Sequence, residues 1–198
     1  MKKILKFSLV LVVAFTTMNL HAGTVDFTIG VKKEQGKIVT FALENMISTI
    51  DLSIYDAEGK LIHSEKVNSK KNINRTYDLN ALPKGTYFLE VESDFKISRY
   101  IISVIGETAS LSTEPTSEIY KPTFVSKEGL VWVGLFNVDK SPVNIKIFDK
   151  DDNEVYDSKE VLDQNVKKVF DINYNNSEEY TFVVTDNDRT FTKTFGKR

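Results

Sequence analysis

Asp78-Leu79-Asn80-Ala81-Leu82-Pro83-Lys84-Gly85-Thr86-Tyr87-Phe88-Leu89-Glu90-Val91 reads as the end of one β-strand, a corner, and the start of the next. Pro83 fixes φ and cannot donate to a ladder, and Gly85 is free to take positive φ, so the chain is expected to turn between them. Beyond the corner Tyr87, Leu89 and Val91 alternate with Thr86, Phe88, Glu90 and Glu92, the period of a strand with one buried face. A worn version of the same phrase returns as Phe170-Asp171-Ile172-Asn173, followed by Tyr180-Thr181-Phe182-Val183-Val184.

Outward from the corner, short alternating runs fill the first half. Val25, Phe27, Ile29 and Val31 alternate, 32–36 is a charged turn, and 37–43 runs back. Residues 49–56 and 60–67 form a hairpin about Asp56-Ala57-Glu58-Gly59. Runs over 73–79, 86–92 and 97–104 complete seven strands, the number of an immunoglobulin-like sandwich. Residues 107–117 are rich in Thr, Ser and Glu and read as a polar linker.

The pattern then repeats. Ile54-Tyr55-Asp56 matches Ile147-Phe148-Asp149, and Tyr77-Asp78-Leu79-Asn80 matches Phe170-Asp171-Ile172-Asn173, both 93 residues apart (147 − 54 and 170 − 77). Tyr87 and Tyr180, and Gly36 and Gly129, keep that offset. The fold expected is therefore all-β: two tandem immunoglobulin-like (fibronectin III-like) antiparallel sandwiches, over 23–106 and 118–198, each with its own core. In the second copy the Leu82-Pro83-x-Gly85 corner is replaced by Asn175-Asn176-Ser177-Glu178-Glu179.

Ile54-Tyr55-Asp56-x-x-Gly59-Lys60-Leu61-Ile62 and Asp78-Leu79-x-x-Leu82-Pro83-x-Gly85-x-Tyr87-Phe88-Leu89-x-Val91 carry a family resemblance. The first copy, roughly from Lys37 to Val104, resembles the C-terminal sorting domain of type IX (Por) secretion substrates of Bacteroidetes and the related immunoglobulin-like domains of their envelope proteins. The resemblance implies a β-sandwich and an exported protein, periplasmic, outer-membrane-associated or extracellular. It also implies a sorting role, although such a domain belongs at a C-terminus and here the better match is internal.

Composition narrows the partners. Residues 1–22 read as a cleaved signal peptide: Lys2, Lys3 and Lys6 precede an apolar run, 7–15, too short to span a bilayer. Without it 23 Lys+Arg face 28 Asp+Glu (26 − 3 against 28), a net of −5 with no basic block, which argues against nucleic acid. No other segment is long and apolar enough to cross a membrane as a helix. Cysteine is absent, which excludes disulfides, thiolate nucleophiles and thiolate metal sites.

Candidate chemistry is sparse. The one histidine beyond residue 22, His63, lies on a hairpin strand; its repeat partner is read as Asp157, a pairing that suits a solvated face better than a catalytic base. Asp149, Asp151, Asn153, Asp157 and Glu160 fall at calcium-loop positions, but Glu154 stands where that loop needs glycine, and a plain turn is expected. Trp132 is assigned to core or half-buried packing, with a carbohydrate platform as the other reading. Tyr87 and Tyr180 are placed to bond the loop before their strands, as in a tyrosine corner. No catalytic, cofactor-binding or metal-binding residue is assigned, no cofactor is expected, and the protein is not read as an enzyme. The function expected is a non-catalytic binding or structural module of the envelope, with a protein or surface glycan as partner; the alternative is a secreted carbohydrate-binding protein.

Overall fold

The computed structural model describes residues 27–46, 48–68, 72–173 and 177–196; the signal segment over 1–22 lies outside them. The described residues are all strand, turn and loop. In the first copy the strands are β1 (Thr28–Gln35), β2 (Ile38–Glu44), β3 (Ile50–Tyr55), β4 (Leu61–Val67), β5 (Ile73–Asp78), β6 (Gly85–Glu92) and β7 (Lys96–Ile105), followed by β8 (Thr108–Leu111) and β9 (Ser117–Tyr120). The second copy holds β10 (Thr123–Lys127), β11 (Leu130–Phe136), β12 (Val143–Asp149), β13 (Glu154–Asp157), β14 (Asn165–Asp171), β15 (Glu179–Asp186) and β16 (Arg189–Gly196).

Strand order shows the duplication directly. Sheet β1-β2-β5 faces β4-β3-β6-β7 in the first copy, and β10-β11-β14 faces β13-β12-β15-β16 in the second. Every pairing is antiparallel, and seven strands correspond one to one, in the three-plus-four arrangement of a fibronectin III-like sandwich. From β3 onward the offset is 93: Ile54 pairs with Leu89 as Ile147 pairs with Phe182. In the preceding hairpin it is 92, because Ile38 and Leu130 each follow the turn directly (130 − 38). The six-residue loop 137–142, against 45–49 in the first copy, takes up the extra residue. A loop can absorb such a slip, whereas a strand would turn every side chain to the wrong face. Gly36 and Gly129, both at positive φ (61° and 78°), thus serve different positions of their turns.

Each copy buries its own core. Phe41, Leu43, Leu52, Leu89, Val91 and Ile102 lie at the centre of the first, and Val131, Val133, Ile145, Phe182 and Val184 at the centre of the second. The largest ring changes sheet between them. Phe41 of β2 packs on Tyr77 at 5.6 Å, while the corresponding site on β11 is Val133; Phe182 of β15 packs on Phe170 at 5.5 Å, where β6 has Leu89. Exchanging a large and a small residue between the sheets keeps the interior filled.

Three expectations are corrected. The charged turn at 32–36 is mostly strand: β1 continues through a bulge between Val31 and Lys33 as far as Gln35. The polar linker at 107–117 is largely part of the first sandwich. Thr108–Leu111 pairs with Ile102–Ile105, and Ser117–Tyr120 with Lys96–Arg99, so the outer edge of β7 is covered by β8 and β9. Ala109 and Leu111 are buried there, and two apolar side chains at period two are enough to anchor a strand whose other residues are polar. Gly85, finally, is the first residue of β6 and does not have positive φ; a Cβ there would meet only Tyr87 Cε2, at 3.8 Å. The corner is built instead by the Leu82 N–H donating to Leu79 O (2.9 Å), by Asp78 Oδ1 accepting from Asn80 N (2.9 Å), and by the Tyr87 hydroxyl donating to Pro83 O (2.9 Å).

The copies touch through charge and one aromatic pair. Glu90, only 4 % exposed, accepts from Arg189 Nη2 at 2.5 Å and lies 3.6 Å from Arg99 Nε, and Arg99 in turn covers the Phe88 ring at 4.1 Å. Tyr120 and Phe136 meet edge to face at 5.4 Å.

Candidate functional site

His63 is exposed and lies edge-on to Tyr77 at 5.5 Å, where β4 of one sheet meets β5 of the other. Its counterpart is Tyr156 and not Asp157: Ile54 pairs with His63 as Ile147 pairs with Tyr156. Tyr156 meets Phe170 edge to face at 4.9 Å, so both copies close this side of the sandwich with a ring pair. Beside His63, Glu65 accepts from Arg75 Nε (3.0 Å) and from the Tyr77 hydroxyl (2.8 Å). Burial, then this carboxylate, holds the Tyr77 phenol far above its usual range.

The acidic loop is a turn. Asp149 Oδ1 accepts from the Asp151 and Asn153 N–H groups, each at 2.9 Å, as Asp56 Oδ1 accepts from Glu58 N (3.1 Å) and Lys60 N (2.8 Å). Asp152, at φ 59°, takes the place of Gly59 at φ 82°. Those bonds to Asn153, backbone first, lower the Asp149 pKa. Asp157 is bound by Lys159 Nζ (2.7 Å) and Asn144 Nδ2 (2.8 Å), which depress its pKa further. Asp149 and Asp157 are therefore engaged within the fold. Among the described residues no group of three or more His, Cys, Asp or Glu side chains is placed to hold a metal ion.

A hollow of about 290 Å³ opens in the first copy between Phe27, Lys96, Tyr100, Glu114 and Glu118. Two of its charges are paired: Lys96 Nζ lies 2.6 Å from Glu118 Oε1, which also accepts from Ser98 Oγ at 2.8 Å, and the ammonium sits 4.8 Å from the Phe27 ring centre. Burial, then the Glu118 and Glu114 carboxylates, push the Tyr100 phenol up to about 12.

The outer face of β10-β11-β14 is different in kind. Val131, Val133 and Leu135 point into the core, so Leu130, Trp132, Gly134 and Phe136 point out. Trp132 pairs with Val125 on one side and Val169 on the other, 47 % and 48 % exposed, which makes an apolar row across all three strands. The neighbouring row on one side is Thr123, Gly134 and Lys167; on the other it is Lys127, Leu130 and Asp171. Phe136, opposite Asn165, ends the face toward the first copy and is 42 % exposed. At Gly134 a Cβ would stand 3.0 Å from Thr123 Oγ1, so the threonine hydroxyl, which donates to Gly134 O at 3.2 Å, fills the space over the glycine. In the first copy the places of Trp132 and Val169 are taken by Thr40 and Thr76, whose hydroxyls hydrogen-bond at 3.0 Å. Trp132 is thus half-buried, as expected, but on the solvent side of the sheet. Sequence reasoning missed its neighbours Val125, Val169 and Phe136, because 130–136 is apolar at both parities and its alternation does not say which face is inward.

Residues 25–104 match the family model of the secretion system C-terminal sorting domain. A comparison with curated proteins finds no match. Among solved structures, the chain is similar to the BSP domain of a biofilm-associated protein (13% identity, 83% of this chain and 28% of that one, TM-score 0.27). It is similar also to the FN1–FN3 domains of chicken CNTN1 (12% identity, 86% and 68%, TM-score 0.28) and to the central fibronectin-III array of RIM-binding protein (9% identity, 89% and 99%, TM-score 0.27). The first sandwich, β1 to β7, is therefore the part of the chain that the type IX secretion C-terminal sorting domain matches, a match that implies an exported protein.

Proposed function

We propose that this protein is a non-catalytic binding or structural module of the bacterial envelope, exported as a type IX secretion substrate after removal of residues 1–22. The observation that carries this reading is the sorting-domain match over 25–104, which spans the sandwich from before β1 into β7. In this reading the final address is the outer membrane surface or the medium. Fractionation of the native host into cytoplasm, periplasm, outer membrane and medium tests it. The full chain is expected outside the periplasm, with accumulation in the periplasm when type IX transport is disabled. Cytoplasmic retention, or a distribution indifferent to the transporter, would overturn it.

A second reading, binding of a carbohydrate, is favoured by one observation: Trp132 and Phe136 share the outer face of β11.

A further inference from the structure

We propose that the outer face of β10-β11-β14 binds the interior of an unbranched, uncharged polysaccharide, with one pyranose ring stacked on Trp132; this rests on the carbohydrate reading above. The duplication supplies the control. Both copies present this face of their small sheet, and only the second carries Val-Trp-Val in cross-strand register, where the first has Thr40 and Thr76. Packing does not require the change, since the core side of β11 is already filled by Val131, Val133 and Leu135.

The shape limits the occupant. Three strands about 4.8 Å apart and seven residues of about 3.3 Å give a face of roughly 300 Å². A stable interface needs about 800 Å² from each partner, so this face alone does not hold a second copy. Peptides add to sheet edges or lie in grooves, and this is an open strand face. A sugar ring has an apolar C–H side that suits the indole, and hydroxyls at its rim that both donate and accept. The apolar row is flanked accordingly: Lys127 and Lys167 offer donors, and Asp171 offers an acceptor. Both signs of charge are present, which favours a neutral chain over an acidic one. The row also runs the full width of the sheet, and neither β10 nor β14 has a further strand beside it among the described residues. A bound polymer can leave at both sides, so the face selects chain interiors over chain ends.

Trp132 is the only tryptophan, so emission excited beyond the tyrosine absorption band reports on this face in the unmodified protein. Titration with the hexasaccharides of cellulose, chitin, linear β-1,3-glucan and linear mannan is expected to give, for at least one series, a blue shift and weaker quenching by acrylamide. The double substitution Trp132→Thr, Val169→Thr copies the first sandwich and, lying on a solvent face, is expected to keep its melting temperature. Its retention on the matching insoluble polysaccharide should fall by roughly thirtyfold, as when a central aromatic anchor is truncated. The proposal is overturned if no hexasaccharide alters the emission at millimolar concentration, if the folded double variant is retained as well as wild type, or if sedimentation shows a dimer that the double variant dissolves. Export is scored by fractionation and sugar binding on purified protein, so either reading can fail without the other.

Discussion

The two sandwiches share strand order, turn chemistry and a ring pair at one side, and differ at the outer edge of the last strand. In the first copy β8 and β9 pair with β7; in the second, no strand pairs with the outer edge of β16 among the described residues. The common parts are those a sandwich needs in order to close. The differences, a covered edge and an apolar outer face, lie outside that shared frame.

The largest expected effect comes from cutting the chain at the wrong boundary. Residues 23–121 should melt cooperatively, as should 122–198, because each holds a complete core. Residues 23–106 lose Leu111 and Ala109 and bare the β7 edge. Losing the leucine alone should cost about 2–5 kcal/mol, enough to leave a small domain mostly unfolded by circular dichroism. Equal stability of 23–106 and 23–121 would break the contrast between covered and open edges.

Next is the exchanged ring. Phe182→Ala should destabilise the second copy by about 3–5 kcal/mol in denaturant melts. The double change Val133→Phe, Phe182→Leu, which restores the first copy's arrangement, should cost less than the sum of its single changes. Additivity would show that the two sites do not share one volume.

High pH probes the first copy more gently. Tyr100 is held up to about 12 and Tyr77 higher still, mainly by burial, whereas an unfolded tyrosine ionises near 10. The folded state thus keeps protons that the unfolded state releases above about pH 10. The stability these phenols contribute is complete below that pH and is lost as pH rises through their folded values. In 23–121, tyrosinate absorbance should therefore appear together with loss of β-structure. Ionisation of all its tyrosines near pH 10, with the fold intact, would contradict the geometry.

The smallest effect tests the corners. Tyr87→Phe removes a bond to Pro83 O and should cost about 1 kcal/mol. The Tyr180 hydroxyl is buried without a well-formed bond among the described residues, only the Ser177 backbone lying near it, so Tyr180→Phe should change stability by less than about 0.5 kcal/mol. Gly85→Ala belongs in the same range, since that residue has ordinary strand geometry.

What the sequence shows plainly is whatever repeats. Ile54 with Ile147 and Tyr87 with Tyr180 carry the strand order of both sandwiches, because alternation and turn residues are local properties. Ala109 and Leu111 were hidden by the Thr, Ser and Glu around them, since a strand that covers an edge needs only two inward side chains. The direction of Trp132 was hidden for the opposite reason, an excess of apolar neighbours on both faces of β11. The Glu90–Arg189 pair joins residues 99 apart in different copies (189 − 90), and no local pattern predicts such a contact.

The edge of β16, which pairs with no strand among the described residues, bears on behaviour at high concentration. A bare strand edge is a template on which another molecule can add, and Lys193 stands within it, on the face shared with the core residue Phe182. The first copy has Tyr100 at that position, under the cover of its own chain. A charge that would have to be dehydrated by an incoming strand disfavours edge-to-edge addition, as a covering segment also does. In the second sandwich Lys193 stands where an added strand would have to pair, and in the first that place is taken by the chain's own β8 and β9.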